Sequence, residues 1–198
     1  RYGSEYYEEN ESIFLVEDYG VSKVYERDLF WDKAGNLLIT SGVETCGRGS
    51  FATVNLSSDE EHCFKVFDSP ESNNIDPYVL DVMMSEELPG FYNIVDTFYK
   101  KDGGNVYLAG YVMNFLEKAD MKTFRMGGVD LLDKDSSYIL ESYERLCSSM
   151  LMLAKRGIVV DDTAEYNTSV EDDGLVIYDV DSFKRSNEPK EEIYLKNM

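Results

Sequence analysis

The chain has 198 residues, of which 43% are hydrophobic, so it is long enough and apolar enough to fold around a core of its own. Its formal net charge of −20 argues against nucleic acid and anionic membranes as partners, and is compatible with a basic protein partner. No apolar run reaches the length that a membrane-spanning helix needs, so we expect no membrane span.

The three cysteines, Cys46, Cys63 and Cys147, show neither zinc-binding nor redox spacing. Since no signal peptide is visible either, the sequence predicts reduced thiols in a cytoplasmic protein. The single histidine, His62, stands among acidic residues, so no histidine-based triad or histidine-rich metal site can be built from it.

The first half of the chain is dominated by patterns typical of strands and turns. Residues 1–12 are acidic and tyrosine-rich, and predict a loose arm. The tetrapeptide KAGN separates DLFW from LLIT and predicts a hairpin turn. Residues 46–67 predict three strands, with a glycine-rich turn after the first and SSDEEH before the third. NIVDTFYK and NVYLAGYVMNFL predict two further strands joined by KDGG.

Two helices are predicted. The first runs from Pro77 to Leu88, with Asp76 as its N-cap and Pro77 at the first helical position. The second is SSYILESYERLCSSMLMLAKRG, which we expect to pack on one broad face and to end at Gly157. Its two apolar rows are residues 139, 143, 146, 150 and 153, and residues 140, 147, 151 and 154. A hairpin of TSV and LVIYDV follows, so the order of elements predicts an α+β fold in two lobes, with a boundary near residues 115–120.

The stretch CGRGSFATV, residues 46–54, contains a Gly-x-Gly turn that would let the backbone approach an anion closely. A strand follows it instead of a helix, which argues against a Rossmann-type loop, and no Gly-Lys-Ser/Thr follows, which excludes a Walker A loop. Lys65 lies in the next predicted strand, on the same face as Cys63, from which it could reach phosphates. The alternatives are a plain turn and an ordinary edge-strand lysine.

Three oxygen-bearing side chains occur in a suggestive order in the second half. Asn167 follows Asp162 by five residues, and Asp179 follows an apolar strand. Two carboxylates and an amide make a hard oxygen site suited to Mg²⁺, and with a lysine they supply what phosphoryl transfer requires. Taken singly, Asp162 could be a turn residue, Asn167 a left-handed residue and Asp179 a strand-end cap.

Over roughly residues 37–185 these motifs resemble, in order, those of protein kinases. GRGSFATV resembles the glycine-rich loop, and CFKVF resembles the V-A-I-K strand. FYNIVDTFY resembles the H-P-N-I-V segment, and YVMNFLEKAD the last N-lobe strand and hinge. LMLAKRGIVVDDTAEYN resembles the catalytic loop with its preceding helix, and LVIYDVD the strand that leads into D-F-G.

The resemblance implies a bilobal protein-kinase-like fold with a β-rich N-lobe, residues 37–116, and a reduced helical C-lobe, residues 117–198. Residues 1–36 would be an N-terminal extension. ATP and Mg²⁺ are the implied cofactors.

The resemblance also implies the roles of individual residues. Asp162 would be the catalytic base and Lys65 the lysine that contacts the α- and β-phosphates, while Asn167 and Asp179 would be metal ligands. The residues implied to surround the nucleotide are Gly47, Arg48, Gly49, Ser50, Phe51, Ala52, Val54, Lys65, Asp81, Met113, Asn114, Leu116 and Asp120. Among them, Val54 would be the adenine roof, Met113 would lie near the gatekeeper position, Asn114 to Leu116 would form the hinge, and Asp120 would bind ribose.

The sequence departs from the kinase pattern at several positions. Val160 and Asp161 replace His and Arg before the catalytic aspartate, Ala164 replaces a lysine, and Asp179 is followed by Val180 and Asp181 instead of Phe and Gly. Three acids are candidates for the ion pair with Lys65: Asp81, Glu86 and Glu87.

The segment after Asp179 is also short, because only 19 residues follow it (198 − 179). We therefore expect the usual platform for a peptide substrate to be absent or cut off. In this respect the chain resembles the effector kinases that bacterial pathogens inject into host cells, which would place it in the host cytosol.

These observations predict an atypical minimal Ser/Thr-type protein kinase that transfers the γ-phosphate of ATP to a protein substrate. One alternative is a pseudokinase, a protein-binding module whose acidic surface docks a basic protein. Another is a small-molecule kinase of the aminoglycoside-kinase type.

Overall fold

The computed structural model describes residues 6–9, 12–17, 20–40, 44–57, 59–70, 75–115, 134–163, 167–172 and 174–198. The chain divides into two compact units, and each unit is built from two separate segments of the sequence. The first unit is residues 1–73 with 95–115, and the second unit is residues 74–94 with 116–198. Helices and strands both contribute, so the class is α+β, as predicted.

The described part of the first unit is made of strands and one short 3₁₀ turn, Glu26–Asp28. Its strands are β1 (Tyr6–Glu9), β2 (Ser12–Glu17), β3 (Gly20–Val24), β4 (Leu29–Asp32), β5 (Leu37–Ile39), β6 (Thr45–Arg48), β7 (Ala52–Leu56), β8 (His62–Phe67), β9 (Ile94–Asp102) and β10 (Asn105–Asn114). The first residue of β9, Ile94, is counted with the second unit.

Two sheets form the described part of the first unit. Strands β1, β2 and β3 make a small antiparallel sheet, so residues 6–9 are a strand and the predicted loose arm is wrong there. The larger sheet has the order β5-β4-β9-β10-β8-β7-β6. Strand β4 belongs to this sheet although its residues fall within the predicted extension, because Trp31 pairs with both Leu37 and Tyr99. The predicted hairpin at KAGN is confirmed, and so are the two strands predicted on either side of KDGG.

One face of the larger sheet carries an aromatic core. The rings of Phe30 and Phe64 both meet Phe98 edge-on, at centroid distances of 5.2 and 6.2 Å. Leu38, Ala109 and Val112 are buried in the same cluster. Their immediate neighbours along each strand lie on the other face of the sheet, because successive side chains point to opposite faces.

The second unit contains α1 (Pro77–Ser85), α2 (Ser136–Lys155), β11 (Ile158–Val159), β12 (Thr168–Glu171), β13 (Gly174–Ile177), β14 (Lys184–Arg185) and α3 (Lys190–Asn197). Helix α1 begins as predicted, because the carboxylate of Asp76 accepts a hydrogen bond from the Tyr78 amide at 2.8 Å. It ends at Ser85, three residues before the predicted end, because Glu86 is already extended. The hairpin of β12 and β13 is confirmed.

Residues 74–94 group with the second unit, whereas the sequence assigned them to the first lobe. The reason is a set of bonds to later parts of the chain. The Tyr92 amide donates to the Ile177 carbonyl at 2.9 Å, and the Ile177 amide donates to the Gly90 carbonyl at 2.8 Å. Glu86 forms an ion pair with Arg156. These contacts tie the residues that follow α1 to later residues of the second unit.

Helix α2 has the predicted length, and Gly157 follows it in the left-handed conformation, with φ of +74°. Its predicted packing face is wrong in part. Tyr143 and Leu140 are exposed, whereas Ser142 and Ser149 are buried. The two serines face main-chain groups: Ser142 Oγ accepts a hydrogen bond from the Leu175 amide, and Ser149 Oγ donates to the Pro89 carbonyl. Small hydroxyl side chains are favoured where a helix packs against polar backbone.

Candidate functional site

The glycine-rich turn is the tip of the hairpin formed by β6 and β7. The Gly49 amide donates to the Ala52 carbonyl at 2.9 Å, which closes the turn. Arg48, Ser50 and Phe51 are exposed around it, Phe51 with 61% of its surface. An apolar ring held in solvent at the tip of a turn has no role in the core of this unit.

Neither glycine of the Gly-x-Gly pair is required by the local fold. A Cβ at Gly47 would lie 3.7 Å from the Cβ of Val54, and a Cβ at Gly49 would lie 3.8 Å from the Ala52 carbonyl oxygen, both ordinary contact distances. Neither residue has a positive φ. Packing and backbone conformation would therefore admit alanine at both positions, and the close approach of a ligand is a separate reason for glycine.

Three residues predicted to bind a nucleotide lie, with Tyr111, in one row across four strands of the larger sheet. Gly47 pairs with Val54, Val54 with Lys65, and Lys65 with Tyr111. Directly opposed residues share a face of a sheet, and so do residues two apart, which places Met113 on this face as well. The structure thus brings together the predicted roof, lysine and gatekeeper residues of the first unit.

Tyr111 is a neighbour of Lys65 that the sequence analysis did not single out. It is completely buried, and the Lys65 Nζ lies 5.8 Å from the centre of its ring. Phe67 meets the same ring edge-on. Tyr111 lies two residues before Met113 in the same strand and therefore shares its face of the sheet. This spacing is the sequence signal that could have identified Tyr111. Asn114, predicted to belong to the hinge, is exposed and points to the opposite face by the same alternation.

The predicted catalytic loop of the second unit has an unusual backbone at Asp162. Its φ is +54°, in the left-handed region that costs a residue with a Cβ roughly 1–2 kcal/mol. The side chain is exposed, and the main-chain carbonyl accepts a hydrogen bond from the Asn167 amide nitrogen at 2.7 Å. Sparsely populated backbone conformations persist where the surroundings fix them, and they cluster at functional sites.

Asn167 is 6% exposed, and the bond to Asp162 determines how its side chain is oriented. Because the amide nitrogen is engaged as a donor, the side-chain oxygen Oδ1 is the remaining polar atom, and it accepts no hydrogen bond from a described residue. The main-chain carbonyl of Asn167 accepts from the Tyr178 amide at 2.9 Å, which links the loop to the end of β13.

Asp179 follows β13 by two residues and is half-buried. Its carboxylate accepts a hydrogen bond from the Asp181 amide at 3.2 Å. Burial raises the pKa of the neighbouring Tyr178, and the negative charge of Asp179 raises it further. Val180, which stands where the resemblance implies phenylalanine, is completely buried, and the Phe183 amide donates to its carbonyl at 3.1 Å.

Asp161 replaces the arginine that the resemblance implies and carries an ion pair of its own. Its carboxylate lies 3.0 Å from the Lys184 Nζ. The hydrogen bond and charge of this lysine, together with the Asp162 amide, lower the pKa of the Asp161 carboxyl. The Ser182 hydroxyl donates to the main-chain carbonyl of Asp161 at 2.7 Å.

The remaining predicted residues are distributed as follows. Asp81 is an exposed residue of α1, Glu86 is engaged by Arg156, and Glu87 is exposed. Which acid pairs with Lys65 stays a prediction, although the ion pair with Arg156 makes Glu86 the least suitable. Leu116, Asp120 and Ala164 lie outside the described residues.

The donor set fits Mg²⁺ only together with a nucleotide. Within the described ranges, no group of three or more His, Cys, Asp or Glu side chains is arranged to hold a metal ion. One carboxylate at Asp179 and one amide oxygen at Asn167 are nevertheless typical of Mg²⁺, which keeps waters and takes further oxygens from phosphates. The chemistry of these two donor atoms therefore suits Mg²⁺, and ATP with Mg²⁺ stays a prediction.

No protein-family model matches the chain, and no curated protein shows significant similarity to it. Among the described helices, none is both long enough and apolar enough to span a membrane. What the chain does must therefore be inferred from the residues of its two units.

Proposed function

We propose that the chain is an atypical minimal Ser/Thr-type protein kinase that transfers the γ-phosphate of ATP to a hydroxyl of a protein substrate. The observation that carries the proposal is the bond from the Asn167 side chain to the Asp162 carbonyl, which fixes an exposed acid in a left-handed backbone. The same two residues have the spacing of a kinase catalytic loop. The protein would act in the cytoplasm, or in the host cytosol if it is a secreted effector.

In this proposal each side chain of the second unit has a distinct task. Asp162 is exposed and ionisable, so it can accept the proton of a substrate hydroxyl. Asn167 Oδ1 and the Asp179 carboxylate would hold Mg²⁺, which neutralises charge on the phosphates when it is bound. The buried amide of Asn167 keeps its oxygen oriented without rotamer freedom.

The face of the first unit supplies the groups for the nucleotide. Lys65 would orient the α- and β-phosphates, and the glycine turn from Gly47 to Ala52 would cover them. That Gly47 and Gly49 are not required by packing or by backbone conformation supports this role. Val54 and Met113 offer apolar surface on the same face for an adenine ring.

The proposal is tested by transfer of labelled γ-phosphate to the chain itself and to a mixture of basic proteins. Lys65→Ala, Asp162→Asn and Asp179→Asn should each lower transfer at least 100-fold, because each removes a group needed in the transition state. Lys190→Ala and Asp102→Asn are matched controls, since both residues are exposed. Equal transfer by the wild type and the three site variants would refute the proposal.

A pseudokinase that holds a basic protein partner is the second candidate function. It is favoured by two departures from the kinase pattern. Asp161, which pairs with Lys184, stands where the resemblance implies an arginine, and the buried Val180 stands where it implies a phenylalanine. Thermal unfolding with ATP and Mg²⁺ separates the two functions in part. Nucleotide at 100 times its Kd should stabilise the chain by about 2.7 kcal/mol. An unchanged Tm at millimolar ATP would favour the pseudokinase.

A further inference from the structure

The carboxylate of Asp161 is bonded at both of its oxygens, and each bond leads to a different part of the chain. Oδ1 accepts a hydrogen bond from the main-chain amide of Asp162 at 3.0 Å. Oδ2 lies 3.0 Å from the Nζ of Lys184. A third bond runs from the Ser182 hydroxyl to the Asp161 carbonyl at 2.7 Å. Asp161 therefore connects Asp162 with the segment that follows Asp179.

Lys184 is held in place by main-chain pairing, which makes the ion pair a built feature of the second unit. It lies in β14, where it pairs with Val159 of β11, and Arg185 pairs with Ile158. The Ser186 amide continues the pairing with a bond to the Gly157 carbonyl at 2.8 Å. The short antiparallel pairing of β11 with β14 thus holds Lys184 close to Asp161.

The bond to Asp161 acts on one of the two non-glycine residues with a positive φ in the described part of the chain. Asp162 has a φ of +54°, a conformation that does not persist without support from neighbouring groups. Asn167 holds its carbonyl, and Asp161 holds its amide, so both peptide groups that flank Asp162 are fixed by side chains. The direction of the Asp162 side chain is set by these two peptide groups.

We propose that Asp161 is a positioning residue for Asp162 and that Lys184 keeps it in position. Where the kinase resemblance implies an arginine that pairs with a phosphorylated loop, this chain carries the opposite charge, and a lysine of the chain itself supplies the partner. The position of Asp162 therefore does not depend on phosphorylation of the chain. The consequence for phosphate transfer rests on the proposed function, whereas the effect on the backbone of Asp162 does not.

The experiment compares variants that remove the two carboxylate bonds of Asp161 together or only the ion pair. Asp161→Ala removes both bonds, and Asp161→Asn keeps an acceptor for the Asp162 amide but loses the charge. Lys184→Met removes only the ion pair, and Lys184→Arg is the conservative control. The exchanged pair Asp161→Lys with Lys184→Asp restores opposite charges, but a lysine has no acceptor for the Asp162 amide.

Two measurements are made on each variant: kcat and KM for ATP, and hydrogen exchange of the Asp162 amide. Asp161→Ala should lower kcat about tenfold with KM unchanged, and should speed exchange by a similar factor. Lys184→Met should lower kcat about two- to fivefold, since exposed ion pairs contribute little, and Lys184→Arg should restore it. The kcat of the exchanged pair should stay as low as that of Asp161→Ala. If the ion pair served only to tether the two segments, the exchanged pair would instead recover its activity.

Wild-type exchange of the Asp162 amide in Asp161→Ala would overturn the inference, and so would full activity of the exchanged pair. If the wild type transfers no phosphate, the proposed function fails, and hydrogen exchange alone decides whether Asp161 positions Asp162. A dependence of wild-type activity on prior phosphorylation of the chain would contradict the role given to Lys184.

Discussion

The side-chain amide of Asn167 donates a hydrogen bond to the main-chain carbonyl of Asp162, at 2.7 Å. The bond assigns different tasks to the two polar atoms of one buried side chain. The nitrogen fixes the backbone of the exposed acid, and the oxygen is the atom that we propose binds Mg²⁺. A substitution that removes only the nitrogen donor should therefore change the loop geometry while it keeps the oxygen that is proposed to bind the metal ion.

Asn167→Asp keeps an oxygen ligand but loses the donor, and Asn167→Ala loses both. We expect both variants to lower phosphate transfer at least tenfold, and their free energy of unfolding to fall by about 1–3 kcal/mol, because a buried polar bond is lost. Urea unfolding and transfer assays measure the two effects. Asn187→Asp, at an exposed position, is the matched control. If Asn167→Asp matched the wild type in both measurements, the amide nitrogen would have no role.

Three glycines of the first unit should respond differently to alanine. Gly110→Ala would place a Cβ 2.0 Å from the Lys65 carbonyl oxygen and 2.4 Å from Cζ of Phe98, so we expect a loss of about 3 kcal/mol or more of unfolding free energy. Gly47→Ala and Gly49→Ala meet only ordinary contacts and should change it by less than about 1 kcal/mol.

The same two loop variants should weaken nucleotide binding. Their Cβ atoms would stand on the turn that is proposed to cover the phosphates, so we expect the Kd for ATP to rise about tenfold while the protein stays folded. Calorimetric titration with ATP and Mg²⁺ measures this change. Unaltered affinity in both variants would separate the glycine turn from the nucleotide.

Much of the local structure was predictable because its causes are local. Asp76 before Pro77 marked the start of α1, KAGN marked a hairpin, and KDGG marked the link between two strands. The spacing of Asp162 and Asn167 predicted that they act together; a hydrogen bond joins them, and their joint action stays a prediction. These signals depend on a few neighbouring residues and on the period of side chains along a strand or helix.

What the sequence did not reveal depends on contacts between distant residues. The buried face of α2 was misjudged at Tyr143 and Ser149, because the helix packs against a main-chain carbonyl at Pro89. The lysine that pairs with Asp161 follows it by 23 residues, and no local pattern marks that partnership. The conformation of Asp162 is likewise fixed from outside, since aspartate alone carries only a weak preference for the left-handed region.

The cap of α1 should make stability depend on pH in acid. Burial works to raise the pKa of Asp76, but hydrogen bonds from Arg185 and from the Tyr78 amide, with the charge of Arg185, lower it on balance. A lowered pKa in the folded state means that the contribution is fully present above the unfolded value, near about 3.9, and is lost as the pH falls through the folded value.

We therefore expect Asp76→Ala to lower the free energy of unfolding by about 1 kcal/mol at pH 7, as removal of a helix cap does. The difference from the wild type should be unchanged at pH 5 and should shrink as the pH falls below about 4, towards the lowered pKa at which the folded-state carboxylate takes up a proton. Urea unfolding at several pH values measures it. Asp102→Ala, at an exposed strand end, should show no comparable pH-dependent difference. A difference that grows in acid would contradict the direction given for Asp76.

Helix α3 is joined to the predicted catalytic loop through a buried side chain. Asn197, 4% exposed, accepts a hydrogen bond from the Val160 amide at 2.9 Å and donates to the carbonyls of Ile158 and Met150 at 3.1 and 3.3 Å. Asn197→Ala leaves these main-chain groups buried without that partner, so we expect the free energy of unfolding to fall by about 2–4 kcal/mol. Lys196→Ala, at an exposed position, should cost less than about 1 kcal/mol. Since Val160 precedes Asp162 by two residues, transfer should also fall in Asn197→Ala below the unfolding temperature. A variant with wild-type stability would show that α3 does not support the loop.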